Sequence, residues 1–122
     1  TGFSQTTMVG GGYDHCFVID RGRGASQSLC AWASSDKTGI SMKVYTTQPG
    51  VQLYTGNFLQ DCPAPGKGGV PMRKYGGFAL ETQHFPCSPS HPEFPSTALR
   101  AGKVFRANTT LRFFTGKQCG KL

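Results

Sequence analysis

The sequence predicts an all-β protein, and two observations carry that expectation. Glycine and proline number 17 and 8 in 122 residues, and both interrupt regular structure and favour turns. No long stretch repeats apolar residues at helical spacing, whereas several short runs alternate apolar and polar residues, as a strand with one buried face requires. A hydrophobic content of 37% suffices for a modest core in one domain.

Along the chain, GYDHCFVID enters a first strand, with Tyr13, His15 and Phe17 on one face and Asp14, Cys16 and Val18 on the other. A turn is expected over residues 21–24. Residues 28–33 and 39–45 are two short runs around a Ser-Ser-Asp-Lys-Thr-Gly connection, the composition of a hairpin. After Pro49-Gly50, residues 51–55 alternate: Val51, Leu53 and Thr55 share one face, Gln52 and Tyr54 the other. Residues 60–71, rich in proline and glycine, are expected to be an irregular loop, and residues 77–83 another strand with Ala79, Glu81 and Gln83 on one side. The prolines Pro86, Pro89, Pro92 and Pro95 exclude regular structure between residues 85 and 95, since each lacks an amide proton and restricts its predecessor. A terminal strand is expected over residues 103–114, with Phe105, Ala107, Thr109, Leu111 and Phe113 on one side. Residues 1–114 thus form one β portion and 115–122 a tail, without internal repeats.

A net charge of +7 would favour phosphate-rich partners if it were concentrated. The basic residues are instead scattered from Arg21 to Arg112, with no compact run and no RNP-like aromatic signature, so solvated surface charge is expected and no nucleic-acid site. No stretch approaches the roughly 18 to 20 apolar residues of a membrane helix, and the opening TGFSQTTMV lacks the features of a secretory signal. No membrane association is expected. The chain opens without methionine, so an upstream segment is expected to be missing. Five cysteines, Cys16, Cys30, Cys62, Cys87 and Cys119, are odd in number and unevenly spaced, which suits reduced thiols inside a cell. The last residues, Gly120-Lys121-Leu122, resemble the S-K-L peroxisomal signal, leaving the cytoplasm or a peroxisome-like organelle as expected addresses.

Several site types are weighed and set aside. His84, Cys87, His91 and Glu93 have ligand types at plausible zinc spacing, but three prolines interrupt them and no cysteine pair accompanies them, so no metal is expected. Residues 66–69, GKGG, lack the Walker spacing. A G-x-S-x-G nucleophile elbow is absent.

Four segments carry a positive signal: GYDHCF, VYTTQPGVQLYTGNF, GGFALETQHFP and SPSHPEFPSTALRAGKVFR. In residues and in order, they resemble the C-terminal part of the aldose 1-epimerase (galactose mutarotase) family. The resemblance spans residues 13–106. It implies a large antiparallel β-sandwich of the galactose mutarotase-like type, of which this chain supplies the C-terminal strands. It implies interconversion of the α and β anomers of a free aldohexose, with no cofactor or metal. In that chemistry a carboxylate takes the proton of the anomeric hydroxyl, a histidine protonates the ring oxygen, and the open aldehyde recloses on either face.

By motif position, Glu81 of LETQ matches the family's general base. Partial desolvation on a strand between Ala79 and Gln83 would suit proton transfer; by itself, a strand glutamate at this spacing is an ordinary solvent-facing residue. Asp14 of GYDH matches the carboxylate that accepts sugar hydroxyls. Gln52 and Tyr54 match positions lining the sugar pocket, an amide for directional bonds and a ring for the sugar's C–H face. Cys16 stands where the family commonly has asparagine. The family's acid histidine lies upstream of this sequence, and His15, His84 and His91 do not occupy its position. The missing N-terminal part of the same enzyme is therefore an expected partner beside the monosaccharide, and these residues alone are expected to fold poorly and be inactive. A non-catalytic sugar-binding or regulatory relative is the alternative, decided by whether the upstream histidines are present.

Overall fold

The computed structural model describes residues 11–22 and 26–116. Part of the turn expected at 21–24, Cys119 and the terminal Gly120-Lys121-Leu122 lie outside the described residues. The six strands are β1 (Asp14–Val18), β2 (Ser28–Ser34), β3 (Ile40–Thr46), β4 (Gly50–Tyr54), β5 (Ala79–Gln83) and β6 (Thr109–Thr115). Single 3-10 turns occupy Leu59–Asp61, Lys67–Gly69 and Ser88–Ser90. The strands form two three-stranded sheets, ordered β1-β4-β5 and β2-β3-β6. This is the all-β, antiparallel architecture expected of mutarotase-like sandwich strands. The chain divides into two compact units, Thr1–Phe17 with Gln52–Glu81, and Val18–Val51 with Thr82–Leu122.

In the second unit, β3 is the central strand and pairs antiparallel with β2 and β6. The β2–β3 hairpin closes as the alternating pattern requires: Ser35 N–H donates to the Ile40 carbonyl and Gly39 N–H to the Ser35 carbonyl, both at 2.9 Å. Gly39 sits at φ +69°, a left-handed conformation natural to glycine. Between Leu29 and Ala31 the register shifts, because Leu29 faces Tyr45 while Ala31 faces Val44. Cys30 is therefore the extra residue of a β-bulge, and its thiol donates to the Val44 carbonyl at 3.3 Å.

Val44, 1% exposed, lies between Ala31 and Leu111 and forms the core with Ile19 and Val51. On the other face of β3, Lys43 lies directly opposite Arg112, a like-charge pair that ordinarily destabilises a sheet. Each cation is instead placed over a ring, Lys43 over Phe114 at 5.7 Å and Arg112 over Tyr45 at 5.4 Å, attractions that offset the repulsion.

Two expected elements are corrected. The terminal strand begins at Thr109, not near residue 103, because its partner β3 ends at Thr46, which faces Thr109. Residues further upstream have no strand of that sheet to meet. Polar bonds mark this boundary: Thr46 Oγ1 donates to the Asn108 carbonyl at 3.2 Å, and Asn108 N–H donates to Thr47 Oγ1 at 3.0 Å. Secondly, residues 85–95 are not wholly irregular. A 3-10 turn over Ser88–Ser90 carries Pro89 in its first positions, where a proline's missing N–H costs nothing, and Ser88 Oγ donates to the Phe85 carbonyl at 2.6 Å.

Burial pushes the Cys30 thiol's pKa up from its ordinary value, a hydrogen bond from Cys30's own backbone opposing this only in part, while Cys62 and Cys87 are exposed. A raised pKa lowers the thiolate fraction near neutral pH, and the thiolate is the nucleophile. In the complete protein, peptide mapping after brief alkylation at pH 7.5 (about one unit below an ordinary thiol pKa) should show Cys30 modified more slowly than Cys62 and Cys87. Equal labelling of all three would contradict the bulge geometry.

Candidate functional site

The first sheet carries all four residues that the motifs single out. Asp14 opens β1, Gln52 and Tyr54 stand on β4, and Glu81 on β5. Because β4 is the middle strand of the order β1-β4-β5, its side chains neighbour both others. Gln52 and Tyr54, two residues apart, project to the same face.

Gln52 and Asp14 meet directly: Gln52 Nε2 donates to Asp14 Oδ1 at 2.7 Å across 38 residues of sequence. A carboxylate only accepts, so the amide's NH₂ must face it, and Gln52 Oε1 then points away. That oxygen is buried without a hydrogen-bond partner, an arrangement that ordinarily costs free energy unless a ligand or water fills it. Asp14 N–H donates to His15 Nδ1 at 3.0 Å, so the residue is held at its backbone as well as its side chain.

Tyr54 is fixed by its hydroxyl, which accepts the Phe58 N–H at 2.9 Å. This ties β4 to the 3-10 turn at Leu59–Asp61 and holds the ring in place. Glu81 differs from the sequence expectation, for its residue is exposed rather than partly desolvated. Among the described residues its carboxylate has no hydrogen bond or ion pair.

Besides the bond that His15 accepts from the Asp14 N–H, the histidines contact aromatic rings and, for His91, Glu93. The His15 ring packs edge-on against Tyr13 at 5.8 Å, on the face where alternation places it. His84 lies against Phe105 at 6.3 Å and lines a cavity of about 210 Å³ with Arg21, Gln48 and Arg106. His91 Nδ1 meets Glu93 Oε1 at 2.9 Å and its ring stacks on Phe94 at 4.8 Å. Among the described residues, no three His, Cys, Asp or Glu side chains converge to hold a metal ion. Sequence reasoning passed over Thr55 and Asn57, whose side chains grip the backbone of Tyr13, the residue before Asp14. The only trace in the sequence is a Thr-Gly-Asn that periodicity reads as a strand end.

The profile of a protein family described as aldose 1-epimerase matches residues 2–112. The chain is similar to galactose mutarotase of Rattus norvegicus and of Homo sapiens, 41% identical to each over 102 residues. It is also similar to the aldose 1-epimerase of Escherichia coli strain K12, 38% identical over 105 residues. Each alignment covers 84% of this chain and 29% of the relative, so the chain spans under a third of the length of the curated relatives it matches. The chain belongs to the aldose 1-epimerase family.

Removing the Tyr54 hydroxyl tests the local geometry without touching the rest of the ring. Tyr54→Phe in the complete protein should lower stability by about 1 kcal/mol and speed hydrogen exchange at the Phe58 amide. Unchanged protection of that amide would show that the hydroxyl does not anchor the turn.

Proposed function

We propose that this chain supplies the base and the sugar-binding side of an aldose 1-epimerase acting on free aldohexoses such as galactose and glucose. The observation that carries this reading is the Gln52–Asp14 pair at 2.7 Å, in a family member whose Glu81 stands on β5 of the same sheet. With Oδ1 engaged by Gln52, Asp14 keeps Oδ2 to accept a sugar hydroxyl. The unpartnered Gln52 Oε1 is a second acceptor for a neighbouring hydroxyl. Two acceptors on neighbouring strands suit a pyranose, which carries hydroxyls on successive carbons.

In the reaction, Glu81 takes the proton of the anomeric hydroxyl as the C1–O5 bond breaks. A histidine from the N-terminal part of the protein gives its proton to O5, producing the open-chain aldehyde. Rotation about C1–C2 turns the other carbonyl face toward O5. The two groups then reverse roles: O5 loses its proton to the histidine, attacks C1, and the carbonyl oxygen regains a proton from Glu81. Atoms and protons balance over the cycle, so neither group needs an external co-reactant. Exposure of Glu81 in this segment leaves its carboxylate open to the substrate, and the histidine-bearing part of the protein would supply the wall that excludes water.

Glu81→Gln in the complete protein keeps shape and removes the base. Polarimetry of freshly dissolved α-D-galactose should show a rate lowered roughly 100-fold or more, with sugar affinity changed far less. A near-wild-type rate would eliminate Glu81 as the base. Sugar binding without any mutarotation in the unmutated protein would favour the non-catalytic relative.

A further inference from the structure

Asp14 is the first residue of β1, a position where a strand's ladder ordinarily frays. The residue just before it, Tyr13, has its backbone held by side chains as well as by a backbone bond. Thr55 Oγ1 accepts the Tyr13 N–H at 2.8 Å, while the Thr55 N–H donates to the Tyr13 carbonyl at 3.0 Å. The one hydroxyl proton of Thr55 has two acceptors in range, Asn57 Oδ1 at 2.7 Å and the Tyr13 carbonyl at 3.3 Å. The shorter contact takes it. Asn57 Nδ2 then donates to the Tyr13 carbonyl at 3.0 Å, closing a ring of bonds around the backbone N–H and C=O of Tyr13.

Two observations show that this ring is built into the fold. Asn57 is 0% exposed, and a fully buried amide is tolerated only when its polar atoms are satisfied. Gly12 lies against the same ring: a Cβ there would collide with Asn57 Oδ1 and would stand 2.5 Å from Thr55 Oγ1. Any residue but glycine at position 12 would push the clamp open. The clamp reaches Asp14 through the Tyr13 carbonyl carbon and the Asp14 nitrogen, so a displacement of that peptide carries the carboxylate with it.

We infer that Thr55 and Asn57, with Gly12, are positioning residues that clamp the Tyr13 backbone and thereby fix the Asp14 carboxylate where it meets the sugar. They set affinity for the aldose rather than the rate of proton transfer. The inference rests on the reading of Asp14 as the sugar-binding carboxylate. A hydroxyl acceptor works only over a few tenths of an ångström, and small misplacements of a binding group remote from the reacting atoms are costly.

The test is steady-state mutarotation of galactose by the complete protein carrying Thr55→Val, which keeps the side chain's shape but loses both Oγ1 bonds, and Thr55→Ser, which keeps them. Thr55→Val should raise KM about tenfold, with kcat within about threefold of wild type because the lost contact is equally present in ground and transition states. Thr55→Ser should restore the wild-type KM. Combined with Asp14→Asn, Thr55→Val should add no further rise in KM, since it acts through the group already removed. A purely structural role would lower the folded fraction and the melting temperature at unchanged KM, and that outcome overturns the clamp. An Asp14→Asn protein with raised KM beside a Thr55→Val protein with unaltered KM sinks the clamp alone. An unaltered KM in Asp14→Asn sinks the sugar-binding reading and the clamp together. Should Thr55→Val fail to fold, Gly12→Ala opens the clamp from the opposite side and is judged by the same criteria.

Discussion

The hydrogen bond from Gln52 to Asp14 can form only if β1 and β4 are neighbours in one register, and much of the first sheet is arranged to keep them so. A slip of one residue would turn Gln52 to the opposite face and separate it from the carboxylate. The bonds around Tyr13 prevent that slip at the end of β1 where Asp14 lies. They tie the chain before β1 to the chain after β4 through Thr55 and Asn57. Tyr54 extends the restraint into the following turn through the Phe58 amide. The sheet is thus pinned by polar bonds, part-buried around Tyr13, more than by a large apolar core.

The second sheet shows the same economy of apolar burial. Among the described residues only Ile19, Val44 and Val51 are buried hydrophobic side chains, while Leu111 and Phe113 on the edge strand β6 remain 52% and 67% exposed. Registration comes from the β2–β3 hairpin, the Cys30 bulge, and the Thr46–Asn108 bond that starts β6. Sheets with one face so lightly covered normally belong to a larger packed body. The chain's coverage of 29% of its mutarotase relatives fits that expectation.

The strands were legible where pattern and turn chemistry agreed. Residues 28–33 and 39–45 alternate around a connection of turn-forming residues, and they form the hairpin. β6 was misjudged because residues 103–108 alternate as well as those that follow. Alternation reports which way side chains would point, not whether a partner strand exists. That partner, β3, runs out at Thr46, a fact set by tertiary structure. Asp14, Gln52, Tyr54 and Glu81 are singled out as candidates by their motifs, not by periodicity. The convergence of Gln52 on Asp14 depends on strand order, which no local signal encodes. Asn57 was invisible for a similar reason: its partner Tyr13 lies 44 residues away, and a lone asparagine after a strand reads as a turn. The exposure of Glu81 escaped prediction because strand alternation alone does not say which face is covered.

In the proposed reading, one sheet presents Asp14 and Gln52 to the sugar and Glu81 to its anomeric hydroxyl. A crystal structure of the complete protein with galactose bound examines it most directly. Sugar hydroxyls are expected within about 2.6–3.2 Å of Asp14 Oδ2 and Gln52 Oε1, and the Glu81 carboxylate at the same distance from the C1 hydroxyl. A sugar bound away from these three residues, or seated on Asp14 and Gln52 with its anomeric carbon turned from Glu81, would contradict it.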